Sequence, residues 1–97
     1  MEPSFTLKAS IHIWQGKAAW HFITIPKNLS SQIKTFDDMP RRGFGSFPVK
    51  VTIGKTTWKT SIFPEKKGTY LLPVKAAVRK KENLSIGAKV ELTFSLQ

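Results

Sequence analysis

The chain has no cysteine, and this absence excludes disulfide bonds, thiolate metal sites and a cysteine nucleophile. Acidic residues are also scarce, with six Asp and Glu among 97 residues. No apolar run reaches the roughly 20 residues that a membrane-spanning helix needs. The first residues carry neither the basic nor the apolar segment of a secretory signal. Together these absences predict a cytoplasmic protein that has no membrane partner.

Positive charge is what the chain has in excess. Sixteen Lys and Arg residues outweigh the six acidic ones and give a formal net charge of +10. A field of that sign attracts polyanions, so nucleic acid, other phosphate-bearing molecules and acidic proteins all become candidate partners. Thirteen of the sixteen are lysines, and lysine also keeps small domains soluble. The charge therefore fits either an anionic partner or solubility alone.

The length and the 40% hydrophobic content suit one domain over residues 1–97, since a chain of this size can bury roughly two thirds of its unfolded surface around one core. Apolar and polar residues alternate from Phe5 to Ile13 and again from Val90 to Leu96. This period of two predicts strands with one buried face.

The phrase Gly-Lys-x-x-Trp occurs at residues 16–20 and again at residues 54–58, each time between two strand-like segments. A glycine in the first central place of a two-residue turn predicts a type II′ hairpin. The first register then pairs Ile13 with Trp20. The second pairs Val51 with Trp58. Both of these tryptophans are therefore predicted to point into the core, and the domain is predicted to consist of two related halves.

Each predicted hairpin is followed by a proline and a short helical pattern. The helices are predicted at residues 28–34 and 74–81, where apolar residues stand four positions apart. Residues 37–47, between the halves, have no hydrophobic period and are rich in Gly and Pro. They predict a connecting loop, which is a common place for functional residues.

The stretch RRGFGSFPVKVTIGKTTWKTSIFPEKKGTYLLPVKAAVRKKENLSIGAKVELTF resembles the small bacterial and archaeal domain-of-unknown-function family nineteen-oh-five. The segment GKAAWHFITIP extends the resemblance into the N-terminal half. Its most specific features are Trp58 with Ser-Ile-Phe-Pro at 61–64, Leu-Pro-Val-Lys at 72–75, Arg79, and Ile-Gly at 86–87. The resemblance implies a mainly β fold, a double-split β-barrel, here with two short helices.

That fold is shared with the AbrB, MazE and MraZ group of DNA-binding regulators and antitoxins. The segment LLPVKAAVRKKENLSIGAKVEL is similar to their strand-Pro-helix-Gly-Asp-strand unit, although Ala88 stands where aspartate is usual. Those regulators generally build the barrel from two chains, whereas this chain is expected to supply both halves itself. The similarity implies a fold and does not imply DNA binding.

The sequence contains few residues that could catalyse a reaction or bind a metal ion. The predicted register places His12 opposite His21, but two imidazoles are too few for a structural zinc site. Asp37 and Asp38 are an ordinary turn signal. Ser61 does not lie in the Gly-x-Ser-x-Gly elbow of a hydrolase. The sequence predicts that the protein is not an enzyme and has no metal site or cofactor.

The basic residues form a better candidate site. The second hairpin places Lys50 opposite Lys59, and like charges in that position are destabilising unless an anion or an acidic neighbour offsets them. Lys75 and Arg79 lie one helical turn apart, although an arginine late in a helix also complements the helix dipole. The predicted anion-binding residues are Arg41, Arg42, Lys50, Lys59, Lys75 and Arg79, and the predicted base-stacking residues are Phe44 and Phe47.

Two functions follow from these residues and from the resemblance. The first is a small basic binding module for nucleic acid or another phosphate-bearing anion. The second is a protein-interaction module, because members of the similar family are often fused to a C-terminal helical domain of the bacteriocin-protection type. In that case a separately encoded version of the helical domain would be the partner. Steep salt dependence of binding would favour the first function.

Overall fold

A computed structural model describes residues 4–14, 20–35, 46–65 and 68–97. The strands are β1 (Ser4–Trp14), β2 (Trp20–Ile25), β3 (Phe47–Ile53), β4 (Thr56–Pro64), β5 (Tyr70–Pro73) and β6 (Lys89–Leu96), and the helices are α1 (Lys27–Lys34) and α2 (Ala76–Lys81). The strands form a closed barrel in the order β1-β2-β5-β4-β3-β6, and each neighbouring pair is antiparallel. The prediction of a mainly β barrel with two short helices is confirmed, while the division into two related halves stays a prediction.

The barrel interior is filled by the apolar residues of the alternating strands. Every second residue of β3 and β6 is buried, as a period of two requires when one face of a strand packs inward. Phe47 and Phe94 are the largest side chains that are fully buried, and Ile33 of α1 joins the same core. Functional groups must therefore lie on the outer surface of the barrel or at its ends.

The hairpin of β3 and β4 has the predicted register. Val51 pairs with Trp58 and Lys50 pairs with Lys59, and Trp58 is 8% exposed. Gly54 has a φ of +58°, as the first central residue of a type II′ turn requires. Turn chemistry and hydrophobic alternation agree here, so the local sequence is enough to determine the pairing.

The predicted register of the hairpin of β1 and β2 is wrong by one residue. Ile13 pairs with His21, and Trp14 pairs with Trp20, so five residues separate the paired tryptophans and a two-residue turn is excluded. Residues 15–19, which include the predicted turn residues Gly16 and Lys17, lie outside the described residues. Since a shift of one residue moves each side chain to the other face of a strand, Trp20 lies on the outer face.

The same shift corrects the predicted pairing of the two histidines. His12 lies opposite Phe22 on the outer face, and its ring centroid is 5.7 Å from that of Phe22. His21 lies opposite Ile13 on the inner face, and both are partly buried. The histidines therefore do not face each other.

The two helices lie at opposite ends of the antiparallel pair formed by β2 and β5. Helix α1 follows the end of β2, with Pro26 as its N-cap residue. Helix α2 follows the end of β5 and begins at Ala76, two residues later than predicted, because the N-cap residue Lys75 is extended. The N–H of Val74 donates to the carbonyl of His21 instead of belonging to the helix. Among the described residues, no helix is long and apolar enough to cross a membrane.

Candidate anion-binding surface

The outer face of β4 carries a line of polar and basic side chains. Thr57 and Lys59 are exposed, and Ser61 is partly buried. They alternate with inward-facing residues such as Trp58 and Ile62, which are buried. The alternation that fills the core thus also presents Thr57, Lys59 and Ser61 on one surface.

Two lysines stand side by side at the centre of this surface. Lys50 of β3 pairs with Lys59 of β4, and both side chains are exposed. The other cross-strand neighbour of Lys50 is Ser95 of β6, which has a hydroxyl group and no negative charge. Opposed like charges cost stability in an antiparallel pair, and neither direct neighbour of Lys50 offsets that cost. Such an arrangement suits an external anion.

A row of threonine hydroxyls crosses four neighbouring strands next to the lysines. Thr6, Thr93, Thr52 and Thr57 occupy consecutive places on β1, β6, β3 and β4. The hydroxyl oxygens of Thr6 and Thr93 are 3.1 Å apart, and those of Thr52 and Thr57 are 2.9 Å apart. In each pair one hydroxyl proton forms the hydrogen bond between the two threonines, so the hydroxyl that accepts keeps its own proton and can donate it to an oxygen of a bound anion.

Helix α2 extends the basic surface at the N-terminal end of β4. Thr57, the N-cap residue Lys75 and the last helical residue Lys81 line a cleft of about 190 Å³ together with Thr56, Trp58, Ala77 and Val78. Both lysines are exposed. Thr57 therefore joins this cleft to the Lys50–Lys59 pair, because Thr57 and Lys59 lie two residues apart on the same face. We call the continuous set the β4 surface; its residues are Lys50, Thr52, Thr57, Lys59, Lys75 and Lys81.

Arg79 does not belong to the β4 surface, in contrast to the prediction. Its Nε donates to the carbonyl oxygen of Val74 at 3.2 Å, and its Nη1 lies 3.2 Å from Nε2 of His21. Because a guanidinium is always protonated and can only donate, the Nε2 atom of His21 is the acceptor. Arg79 is partly buried, and its contact with His21 links α2 to β2. These contacts give Arg79 a structural role, and the anion-binding role predicted for it stays a prediction.

The structure tests the base-stacking role of only one of the two phenylalanines for which it was predicted. Phe47 is 1% exposed and its ring packs edge-on against Tyr70, with the centroids 6.0 Å apart. A nucleic-acid base cannot stack on a ring that is buried in the core, so this prediction is wrong. Phe44, Arg41 and Arg42 lie outside the described residues, and their proposed roles stay predictions.

The residues of the β4 surface that sequence reasoning missed are Thr52, Thr57 and Lys81. The signal for Thr57 was present, because it has the same parity as Lys59 along β4. Lys81 gave no such signal, since only the packing of α2 against β4 brings it beside Thr57. Among the described residues, no group of three His, Asp or Glu side chains could hold a metal ion.

The model of the domain-of-unknown-function family nineteen-oh-five (DUF1905) matches residues 7–94. The chain belongs to this family. The match covers all six strands of the barrel at least in part and both helices. No curated protein shows significant similarity to the chain. Because the family's description names no function, the function of this member of the family has to be inferred from its residues.

Proposed function

We propose that the protein is a non-catalytic binding module for nucleic acid, and that the β4 surface contacts the phosphate groups. The observation that carries this proposal is the exposed pair of Lys50 and Lys59. The other cross-strand neighbour of Lys50 is Ser95, which has a hydroxyl group rather than a carboxylate. The surface continues into the cleft of Lys75 and Lys81. A polyanion is the ligand that satisfies several separated lysines at once.

The chemistry of the surface fits a phosphodiester backbone. Lysine acts as a point charge beside phosphate, and threonine and serine hydroxyls donate hydrogen bonds to phosphate oxygens. The net charge of +10 would steer such a ligand towards the protein from a distance. Contacts of this kind position a nucleic acid and do not read its sequence.

The test is a fluorescence-anisotropy titration of labelled, mixed-sequence single-stranded DNA and RNA at low and at near-physiological salt. We expect the double variant Lys50→Ala/Lys59→Ala to bind on the order of tenfold more weakly than the unmodified protein, since it loses two phosphate contacts. The matched control is Lys34→Ala/Lys89→Ala, which removes the same charge from two exposed lysines outside the β4 surface.

The stability of the variant separates a binding role from a structural one. Removing the opposed charges of Lys50 and Lys59 relieves repulsion, so the free energy of unfolding should stay equal or rise by roughly 0.2–1 kcal/mol. Equal weakening of binding by both double variants would contradict a localised surface. Binding that is absent at physiological salt would reject the proposal and favour a protein partner such as the separately encoded helical domain.

A further inference from the structure

Among the described residues, four aromatic rings form a continuous row on the outside of the barrel. The ring centroids of Phe63 and Trp20 are 6.5 Å apart, those of Trp20 and Phe22 are 5.8 Å apart, and those of Phe22 and His12 are 5.7 Å apart. We call this set the aromatic row. Phe63 is 38% exposed and His12 is exposed, while Trp20 and Phe22 are partly buried. The row thus presents ring surface to solvent at both of its ends.

The aromatic row lies outside the main core. Leu71 pairs with Phe63 across β4 and β5. It is 6% exposed, yet it does not belong to the core cluster, so it is covered on the outer side of the sheet. An apolar surface of this kind, next to a basic one, is typical of proteins that bind unpaired bases, because every base has an apolar face that can stack on an aromatic ring.

A cleft of about 360 Å³ adjoins one end of the aromatic row. His12 and Phe22 line it together with Ile13, Thr24, Glu65 and Thr69. The Oε1 atom of Glu65 accepts a hydrogen bond from the hydroxyl of Thr69 at 2.7 Å. A carboxylate repels phosphate, but it can accept a hydrogen bond from an N–H group on the edge of an unpaired base, such as the amino group of cytosine or the ring N–H of thymine. The cleft therefore suits a base better than a phosphate group.

The aromatic row and the β4 surface are continuous along one strand. Phe63 and Lys59 lie on the same face of β4, four residues apart, which places their Cα atoms about 13 Å from each other at a rise of roughly 3.3 Å per residue. A single flexible strand that contacts Lys59 with a phosphate can reach Phe63 with a base a few nucleotides along. A base inside a duplex cannot stack on an aromatic side chain, because both of its faces are covered by the neighbouring bases.

We infer that the aromatic row stacks on unpaired bases and that the adjoining cleft accommodates one base, so that the ligand is single-stranded nucleic acid. This inference rests on the proposed function, because the β4 surface supplies the phosphate contacts. The rings provide the contact that distinguishes a single strand from a duplex or from inorganic polyphosphate.

The experiment compares three probes of equal length, namely a labelled twelve-nucleotide oligothymidine, an abasic oligonucleotide with the same number of phosphates, and a duplex. The unmodified protein should bind oligothymidine about tenfold or more tighter than the abasic strand, since one stacked base contributes roughly 1–3 kcal/mol. Phe63→Leu keeps an apolar cover over Leu71 but removes the ring, so it should lose most of that difference. Thermal unfolding verifies that the variant is folded, and Phe22→Leu is the second variant.

Each outcome distinguishes this inference from the proposed function. Equal binding of oligothymidine and the abasic strand by the unmodified protein would refute base stacking while leaving phosphate binding intact. The same holds if both ring variants keep the full preference for oligothymidine. The double variant Lys50→Ala/Lys59→Ala should weaken the binding of both strands by the same factor. Failure to bind any of the probes would refute the proposed function and this inference with it.

Discussion

Gly54 shows how a single residue allows two elements to meet. Its φ of +58° is in the left-handed region, and a Cβ at this position would clash with Oε1 of Glu82. Glu82 is the C-cap residue of α2, and its Oε2 accepts a hydrogen bond from the hydroxyl of Thr56 at 2.5 Å. Glycine therefore lets a carboxylate at the end of the helix approach the turn between β3 and β4.

Gly54→Ala is expected to lower the free energy of unfolding by about 2 kcal/mol, since it adds strain at a positive φ and displaces the carboxylate of Glu82 from Thr56. Urea denaturation measures this change. Gly87→Ala is the matched control, because Gly87 has a φ of +84° and a Cβ there would meet nothing within 4 Å. The control should cost only the backbone strain. Equal losses in the two variants would show that the contact with Glu82 contributes nothing.

The sequence predicted one of these two features. Gly-Lys between two alternating segments predicts the glycine turn, because that chemistry is local. The contact between Gly54 and Glu82 joins residues that are far apart in the chain, and no local pattern indicates it. The same reason explains Arg79, whose partner His21 lies 58 residues away.

At the scale of elements, α1 is joined to two strands by one buried hydroxyl. Ser30 is 0% exposed. Its Oγ donates to the carbonyl oxygen of Ile25 at 3.0 Å and accepts from the backbone N–H of Tyr70 at 3.2 Å. The helix is thereby fixed where β2 ends and β5 begins. A buried N–H that loses its acceptor retains the full cost of its desolvation.

Ser30→Ala is expected to lower the free energy of unfolding by about 1–3 kcal/mol, because it leaves the N–H of Tyr70 without the hydroxyl as an acceptor. The neighbouring variant Ser31→Ala is the control. Ser31 is exposed, and alanine is the better helix former, so this change should be neutral or slightly stabilising. Chemical denaturation of both variants gives the comparison. A loss below about 0.5 kcal/mol for Ser30→Ala would contradict the role assigned to the hydroxyl.

The two hairpins show why the elements were predicted better than their pairing. Both contain Gly-Lys-x-x-Trp, and the repeat predicted the same two-residue turn in each. That prediction is correct for β3 and β4 but wrong for β1 and β2, where Trp14 pairs with Trp20. Strand periodicity is a property of each segment alone, whereas register also depends on loop length. Consequently Trp20, His21 and Phe22 lie on the faces opposite to those that the sequence predicted.

At the scale of the whole molecule, alternation and the family resemblance were enough to predict a mainly β barrel, but not the order of its strands. Closure depends on the pairing of β1 with β6, which joins the two ends of the chain. The candidate site likewise has one part that local sequence patterns predict and one part that depends on contacts between distant residues. The pair of Lys50 and Lys59 was predicted from a local hairpin, whereas the positions of Lys81 beside Thr57 and of Arg79 beside His21 depend on how α2 packs.

The salt dependence of binding tests whether the net charge acts as a diffuse field or through the β4 surface. Four lysines of that surface, namely Lys50, Lys59, Lys75 and Lys81, predict a slope of log affinity against log salt of about −3 or steeper, at roughly −0.7 per phosphate contact on a single strand. Removing one of them as Lys59→Ala should make the slope shallower by about 0.7, because one fewer phosphate is neutralised.

Titrations of oligothymidine at four or more salt concentrations measure this slope, and Lys89→Ala is the control of equal charge. Lys89 is exposed on β6 opposite Ser10, outside the β4 surface. The Lys89→Ala variant loses one unit of positive charge, as Lys59→Ala does, but it loses no phosphate contact. Its slope of log affinity against log salt should therefore equal that of the unmodified protein. If both variants shift the slope equally, the lysines act only through the summed charge of the protein. If only Lys59→Ala shifts it, the contact is local, and the position of Lys59 opposite Lys50 acquires a functional reason.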